Sequence, residues 1–265
     1  MKSERNIAVK IRFLGKNYHG FQRQQNALSV QEVIENALFN ILGKKTVIFG
    51  CSRTDTGVSA AEYVFNFKTE NAITPYKLKG ALNHFLPDDI AALDCAEADE
   101  DFHARYHCVE KEYEYTVRNS KQRDPFCDDR TYRYSLTSLD ENLLNEAAKG
   151  FLGRHDFSAF CSSGDSVKSH VREIKEASVR RDGEKVLFRF RADGFLYNMV
   201  RIMVGTLIFV NEGKIEKDAI PKIIESRNRK KAGATIEPQG LCLKKVIYQN
   251  DPFEKEKREG EDGGN

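Results

Sequence analysis

No pair of cysteines in this chain has the spacing of a metal or redox motif. The six stand at 51, 95, 108, 127, 161 and 242, without a CxxC and without a histidine at ligand spacing. That scatter argues against a zinc site or a disulfide framework and points to reduced thiols. Long hydrophobic runs are also missing. The longest, Ile202 to Val210, is far too short to span a bilayer. The first residues, Met1 to Asn6, lack the apolar core of a signal peptide, so the cytoplasm is the expected compartment. No predicted strand runs into a GxGxxG or GxxxxGK loop, so nothing offers a nucleotide cofactor a phosphate seat. The expectation is a protein with no metal, no cofactor and no membrane association.

What is present is ordinary in amount and uneven in distribution. The 265 residues are 40% hydrophobic and 31% charged, which suits one large globular domain or two modest lobes. Of 42 basic and 40 acidic residues, three and six respectively fall in 251–265, so the remainder carries +5. The end of the chain therefore reads as a disordered, solvated acidic tail, and the body is basic enough to accept an RNA partner.

Periodicity divides the body in two. Ile7, Val9, Ile11 and Phe13 alternate with Ala8, Lys10 and Arg12 as in a half-buried strand. Ser29-Val30-Gln31-Glu32 is a capping box opening a helix that carries Val33, Ile34, Ala37, Leu38 and Ile41. Strands near 46–50 and 61–68, a helix from Pro75 to Phe85 and a strand near 89–97 complete a first lobe, 1–105. In the second lobe, 106–250, Lys111 to Arg118 alternates as a long strand, and Ser138-Leu139-Asp140-Glu141 caps a helix bearing Leu139, Leu143, Ala147 and Phe151. Strands at 171–180 and 185–192 are joined by Asp182-Gly183, a hairpin signal. Helices at 196–212 and 216–227 and a strand at 241–248 follow, with the acidic tail at 251–265. The pattern predicts an α+β fold of two related lobes with mainly antiparallel sheets flanked by helices.

One segment stands out chemically: Ser52-Arg53-Thr54-Asp55-Thr56-Gly57-Val58-Ser59-Ala60. It puts a carboxylate between an arginine and a glycine on a turn between two strands. A turn aspartate capping its own loop has the same composition. A nearby cation, however, keeps a half-buried carboxylate ionised and ready to act as nucleophile or base. Cys51 reads as a buried strand-end thiol rather than a nucleophile. Arg201 is the lone charge between Phe195 and Val210, so it either reaches to one end of its helix or meets an anion. Tyr113 shares a strand face with Lys111, Tyr115 and Val117; that pattern fits core, and it also fits an aromatic that stacks on a flipped base. Arg23 and Gln24 in a polar loop, His103 and Arg105 in Asp101–Tyr106, and the basic run Arg227, Arg229, Lys230 and Lys231 together make an RNA-facing set.

At these residues the chain resembles the tRNA pseudouridine synthase A family, over roughly 6–250. The Asp55 turn is similar to that family's G-R-T-D-A-G-V-H-A signature. Gly20-Phe21-Gln22-Arg23-Gln24 with Ser29-Val30-Gln31 resembles G-[WF]-Q-R-Q…S-V-Q. Asp101–Tyr106 resembles D-F-H-A-R-[FY]; Lys111–Tyr115 matches K-x-Y-x-Y; Phe195–Arg201 matches F-[LV]-x-x-M-[VI]-R. The resemblance implies a pseudouridine synthase α+β fold whose two lobes flank a central cleft. It makes Asp55 the nucleophile and Arg201 its counter-charge, with Arg53 displacing or holding the nucleotide. Tyr113 would stack on the base and take part in proton removal. Arg23, Gln24, His103 and Arg105 fall to substrate binding. It implies a homodimer that takes tRNA, without metal or cofactor, and acts at positions 38, 39 and 40 of the anticodon stem-loop. Ser52, Thr56 and Ser59 stand where the signature has Gly, Ala and His; their hydroxyls are placed to hydrogen-bond Asp55 or its turn. Two other classes compete: a catalytically inactive RNA-binding paralogue, and a dimeric aspartic protease built on the single Asp55-Thr56-Gly57.

Overall fold

The computed structural model describes residues 4–164 and 167–254. They divide into two units, one holding 4–109 together with 243–254, the other 110–242.

In the first unit, β1 (Arg5–Phe13) lies between β3 (Ser59–Thr69) and β4 (Ile90–Ala98), antiparallel to both, and the two-residue β2 (Phe49–Gly50) adds to β3. Helix α1 (Val30–Leu42) starts where the capping box predicts, Ser29 Oγ accepting the Glu32 amide, and ends on Gly43 in the left-handed region. Helix α2 (Pro75–Phe85) has Pro75 in its first turn and Thr74 as its cap, and packs on α1 and β4. Ile7, Val9, Ile11, Phe65, Phe67, Ile34, Leu38, Leu78 and Leu82 form the core.

The expected half-buried β1 is buried on both faces over Asn6–Val9. Its second face is covered by residues 99–104, whose carbonyls at Asp99 and Phe102 each accept a bond of 2.8 Å from Asn6 Nδ2. A two-sided cover erases the alternation that a one-sided strand would show.

The second unit has a four-strand antiparallel ladder: β5 (Cys108–Asn119), β9 (Lys185–Ala192), β8 (Val171–Asp182) and β7 (Gly153–Asp156), in that order, with β6 (Tyr132–Tyr134) parallel to β5. Strands β6 and β7 span only three and four residues, and neither is predicted from the sequence. Helix α3 (Glu141–Ala148) packs on β8 and on α4 (Met199–Asn211); α5 (Ile220–Ser226) is shorter than its periodicity suggested. Asp140, not Ser138, caps α3, its Oδ1 accepting the amides of Asn142 and Leu143 at 3.0 and 3.1 Å. Leu139 therefore lies just ahead of the helix, although it is buried as expected.

The last strand, β10 (Leu241–Tyr248), pairs with β3, so from residue 243 the chain belongs to the first unit rather than closing the second. Residues 251–254, expected in the acidic tail, belong to the first unit. Residues 255–265 lie outside those described, but Phe253 is buried, with Lys10 Nζ 4.6 Å from its ring centroid.

Candidate active site

The Asp55 turn is held by main-chain bonds on both sides of the carboxylate. Upstream, Cys51 N–H donates to Val64 O at 2.9 Å, and the buried Tyr63 hydroxyl donates to Ser52 O while accepting from Ser52 N. Downstream, Val58 N–H returns to Asp55 O at 3.1 Å and Gly57 N–H reaches Tyr18 O at 3.2 Å. Gly57 has φ 79°, which closes the turn in a conformation few other residues adopt. The loop 15–21 presses on the turn at two glycines. A Cβ on Gly15 would overlap Val58 O, and one on Gly20 would overlap Thr54 O. Ser59, at the signature's histidine position, accepts the Gly15 amide at 3.0 Å, so its hydroxyl ties the two loops together. Asp55 is half-buried; Arg53 and Thr56 on either side are exposed.

Arg53 borders a cavity of about 260 Å³ lined also by Gln22, Phe49, His103, Arg105 and Tyr106. The loop 101–106 that supplies three of these is anchored by buried amides. Asn66 Oδ1 accepts the Ala104 amide at 2.9 Å, Asn66 Nδ2 donates to Asn6 Oδ1 at 2.9 Å, and Tyr248 Oη donates to Ala104 O at 2.7 Å. His103 Nδ1 accepts the Arg105 amide at 3.1 Å. Partial burial, together with His107 and Arg105, holds its pKa below the usual histidine value, so the ring is neutral at pH 7. Arg23 and Gln24 are not among the lining residues. Arg23 pairs with Glu35 at 3.0 Å and Glu32 at 3.3 Å, and Gln24 Nε2 donates to His19 O at 2.6 Å.

In the second unit, Tyr113 is buried with its ring edge-to-face on Phe195 at 5.1 Å. Arg201 is half-buried on α4. Its Nε donates to Ile236 O at 2.7 Å and one terminal nitrogen to Asn198 Oδ1 at 2.6 Å. Asn198 caps the helix with φ 60° and passes a second bond to Ser162 Oγ at 3.0 Å. The Ile236 carbonyl is fixed in turn by close backbone packing. Thr206 Oγ1 accepts the Gly233 amide at 2.8 Å, and Cβ atoms at Gly205 or Gly233 would collide with the other segment's backbone. Tyr115 Oη donates to Glu237 O at 2.6 Å. Arg229, expected on the surface with its basic neighbours, folds back onto Gly233 O at 2.8 Å and Thr235 Oγ1 at 3.0 Å, while Arg227 pairs with Asp156 at 3.2 Å. Two neutral acceptors thus help to orient the guanidinium of Arg201.

A family profile described as tRNA pseudouridine synthase matches residues 9–107 and 147–249. The chain belongs to the tRNA pseudouridine synthase family. A relative named tRNA pseudouridine synthase A from Acetivibrio thermocellus is 48% identical over 244 residues, 92% of this chain and 100% of that one. Its namesake from Clostridium acetobutylicum is 46% identical over 245 residues with the same coverage. A Clostridium perfringens relative named tRNA pseudouridine synthase A 2 is 44% identical, again over 92% and 100% of the two chains. A more distant likeness is to a solved Cbf5-Nop10-Gar1 complex, with TM-score 0.41, 14% identity, and coverage of 97% of this chain and 57% of that one. Membership makes the chain an isomerase acting on uridine in tRNA, with the α+β fold of the family. It also removes the protease alternative, whose support was the Asp55-Thr56-Gly57 triplet alone.

Several residues that build this synthase's site carried no sequence signal of their own. Asn6, Asn66 and Tyr248 position His103 and Arg105 from three strands far apart in the chain. Asn198 orients Arg201; its single hint was a polar residue just before an apolar helix. Among the described residues no cluster of metal ligands occurs, and no helix is long and apolar enough to cross a membrane.

Proposed function

We propose that this synthase converts uridine to pseudouridine in the anticodon stem-loop of tRNA, at positions 38, 39 and 40, with Asp55 as nucleophile. The carboxylate adds to the target uridine and the N-glycosidic bond breaks. The uracil turns and rejoins the ribose through C5, and the C5 proton is lost as N1 gains one, so the product is an isomer. Arg201 supplies the counter-charge to Asp55. Tyr113 stacks on the uracil and assists removal of the C5 proton. Arg53 holds the extruded nucleotide, and His103 and Arg105 meet the RNA next to it. In this reading Arg23 and Gln24 order the 15–26 loop, because Arg23 already has two carboxylate partners. The enzyme works in the cytoplasm as a homodimer and uses neither metal nor cofactor.

The observation that carries this reading is the Asp55 turn itself, fixed on both sides of the carboxylate by backbone bonds and glycine contacts. Such over-determination suits a group that must meet a base once it is extruded, because about 1 Å of misplacement can cost a hundredfold in rate. Extrusion itself costs a few kcal/mol, offset by phosphate contacts that make binding salt-dependent. Wild type and Asp55→Ala are to be incubated with unmodified tRNA transcripts and mapped by carbodiimide treatment and primer extension. Stops at anticodon-arm uridines that vanish in the variant are expected. Stops that persist in Asp55→Ala would remove the nucleophile from the mechanism, and tight binding without stops from either protein would leave an RNA-binding paralogue.

A further inference from the structure

We propose that the cavity beside Arg53 is a second nucleotide site, which takes an unpaired nucleotide neighbouring the target, its base on the Phe49, His103 and Tyr106 rings and its phosphate at Arg105. The proposal rests on the synthase reading for the identity of the RNA, and on the cavity for everything else.

The His103 ring meets both others, its centroid 5.1 Å from that of Phe49 and 4.3 Å from that of Tyr106. Those two are turned to solvent: Phe49 is 42% and Tyr106 74% exposed. Exposed aromatics in mutual contact are a surface that a flat apolar partner would cover. At about 260 Å³ the space is below the roughly 300–1,000 Å³ of sites for drug-sized ligands, which suits a single base.

The charges select a polyanion. No aspartate or glutamate lines the cavity, while Arg53 and Arg105 both do. Neither arginine has a carboxylate partner among the described residues. Gln22, also in the lining, makes no side-chain hydrogen bond among the described residues and offers a donor and an acceptor to a base edge. A protein partner would leave both guanidiniums to be desolvated or would have to supply matching acids. An RNA strand brings a phosphate with every base. The neutral state of His103 at pH 7 favours stacking over simple charge attraction.

The walls are also rigid. Phe49 is in β2, paired with Asn66, and that same residue's side chain holds the Ala104 backbone. Asp55 is not among the lining residues although Ser52 and Arg53 are, so the cavity adjoins the nucleophile without containing it. A nucleotide held there would be the neighbour of the one being isomerised.

The test is an abasic scan. Anticodon stem-loop RNAs, each with one unpaired nucleotide made abasic, are titrated by fluorescence anisotropy against wild type, Tyr106→Ala and Tyr106→Phe. One abasic position is expected to weaken binding to wild type by about tenfold, within the range of a lost base–aromatic stack. That RNA should bind Tyr106→Ala no worse than the intact stem-loop does, and Tyr106→Phe should behave as wild type. Tyr106 is largely exposed, and thermal melts should show the variants folded like wild type. A flat scan with wild type, or an abasic penalty unchanged in Tyr106→Ala, overturns the proposal, as does failure to bind any of the RNAs. Pseudouridine formation on the intact stem-loop is measured alongside. Its absence counts against the synthase reading, while the scan, a binding measurement, still decides the cavity.

Discussion

Replacing Gly20 by alanine tests whether the Asp55 turn is positioned by its neighbour loop. Two effects are expected. Gly20 has φ 83°, so an alanine there adds about 1–2 kcal/mol of backbone strain. Its Cβ would also fall on Thr54 O, one residue before Asp55, and closer than the 3.0 Å that Cβ atoms keep from non-bonded neighbours. Restoring ordinary contact at 3.4 Å requires the turn or the 15–21 loop to move by about 1 Å. Thr54 O is main chain, so a rotamer change cannot absorb that shift. Gly43 is the control. It has φ 68° at the end of α1, with nothing within 4 Å of its would-be Cβ, so Gly43→Ala carries the strain alone.

The assay is single-turnover pseudouridine formation on a tRNA transcript, with thermal melting of each variant. Both variants should lose about 1–2 kcal/mol to strain, or about 2–8 °C in Tm. Gly20→Ala should lose more, and its chemical step should fall by about a hundredfold, whereas Gly43→Ala should keep the wild-type rate. Equal rates for the two variants would refute the idea that the 15–21 loop sets the position of Asp55.

Three further outcomes follow from other parts of the molecule. Asn66→Ala strips the Ala104 amide and Asn6 Oδ1 of buried partners and should cost about 2–4 kcal/mol, read by urea denaturation, with RNA binding weakened because His103 and Arg105 lose part of their anchor. Asn198→Gly keeps the left-handed φ but deletes the bonds to Arg201 and Ser162; rapid-quench kinetics should show the chemical step reduced by about tenfold with RNA affinity nearly unchanged. Glu110 accepts from Lys175 Nζ at 2.7 Å and pairs with Arg191 at 3.1 Å, so its carboxyl titrates below the ordinary value of 4.5. The unfolded chain therefore binds that proton first. The stabilisation is complete above about pH 4.5 and disappears as pH falls through the lower folded value. Melts of Lys175→Met at pH 7, 5 and 3 should show a deficit against wild type that shrinks at the acid end.

How far the fold was legible depended on whether a residue's partners were local. Helix α2 was read from Pro75 to Phe85 because its cap, its proline and its apolar spacing all lie within one segment. Strands β6 and β7 were missed because Tyr132–Tyr134 and Gly153–Asp156 are too short to show a period and owe their conformation to neighbouring strands. Strand β10 was recognised as a strand but given to the wrong unit, since its pairing with β3 joins residues more than 170 positions apart. The turn around Asp55 was legible because Arg53, Asp55 and Gly57 sit in one short motif. The contact between Phe49 and His103 was not, because it arises only when β2 adds to β3.

Asn6 and Asn66 show why the hidden part of the site is polar. In strands β1 and β3 they look like interruptions of an apolar pattern, and buried amides without partners would be a defect. Each is 4% exposed or less, and together they take up the Phe102 and Asp99 carbonyls, the Ala104 amide and each other. An apolar pair at these positions would pack as well against Ala8, yet it would take the bonds from the Phe102 carbonyl and the Ala104 amide and leave the loop's approach to the sheet unspecified. Two amides bonded to each other and to three points of that loop instead admit one register. His103 and Arg105 therefore inherit their position from the sheet although they stand on a loop. The same division appears in the second unit, where Arg201 is aimed by Asn198 and by a carbonyl that Gly205 and Gly233 let approach. In both units the proposed RNA-contacting residues are charged or aromatic and visible in the motif, and those that aim them are asparagines and glycines whose purpose exists only in the folded chain.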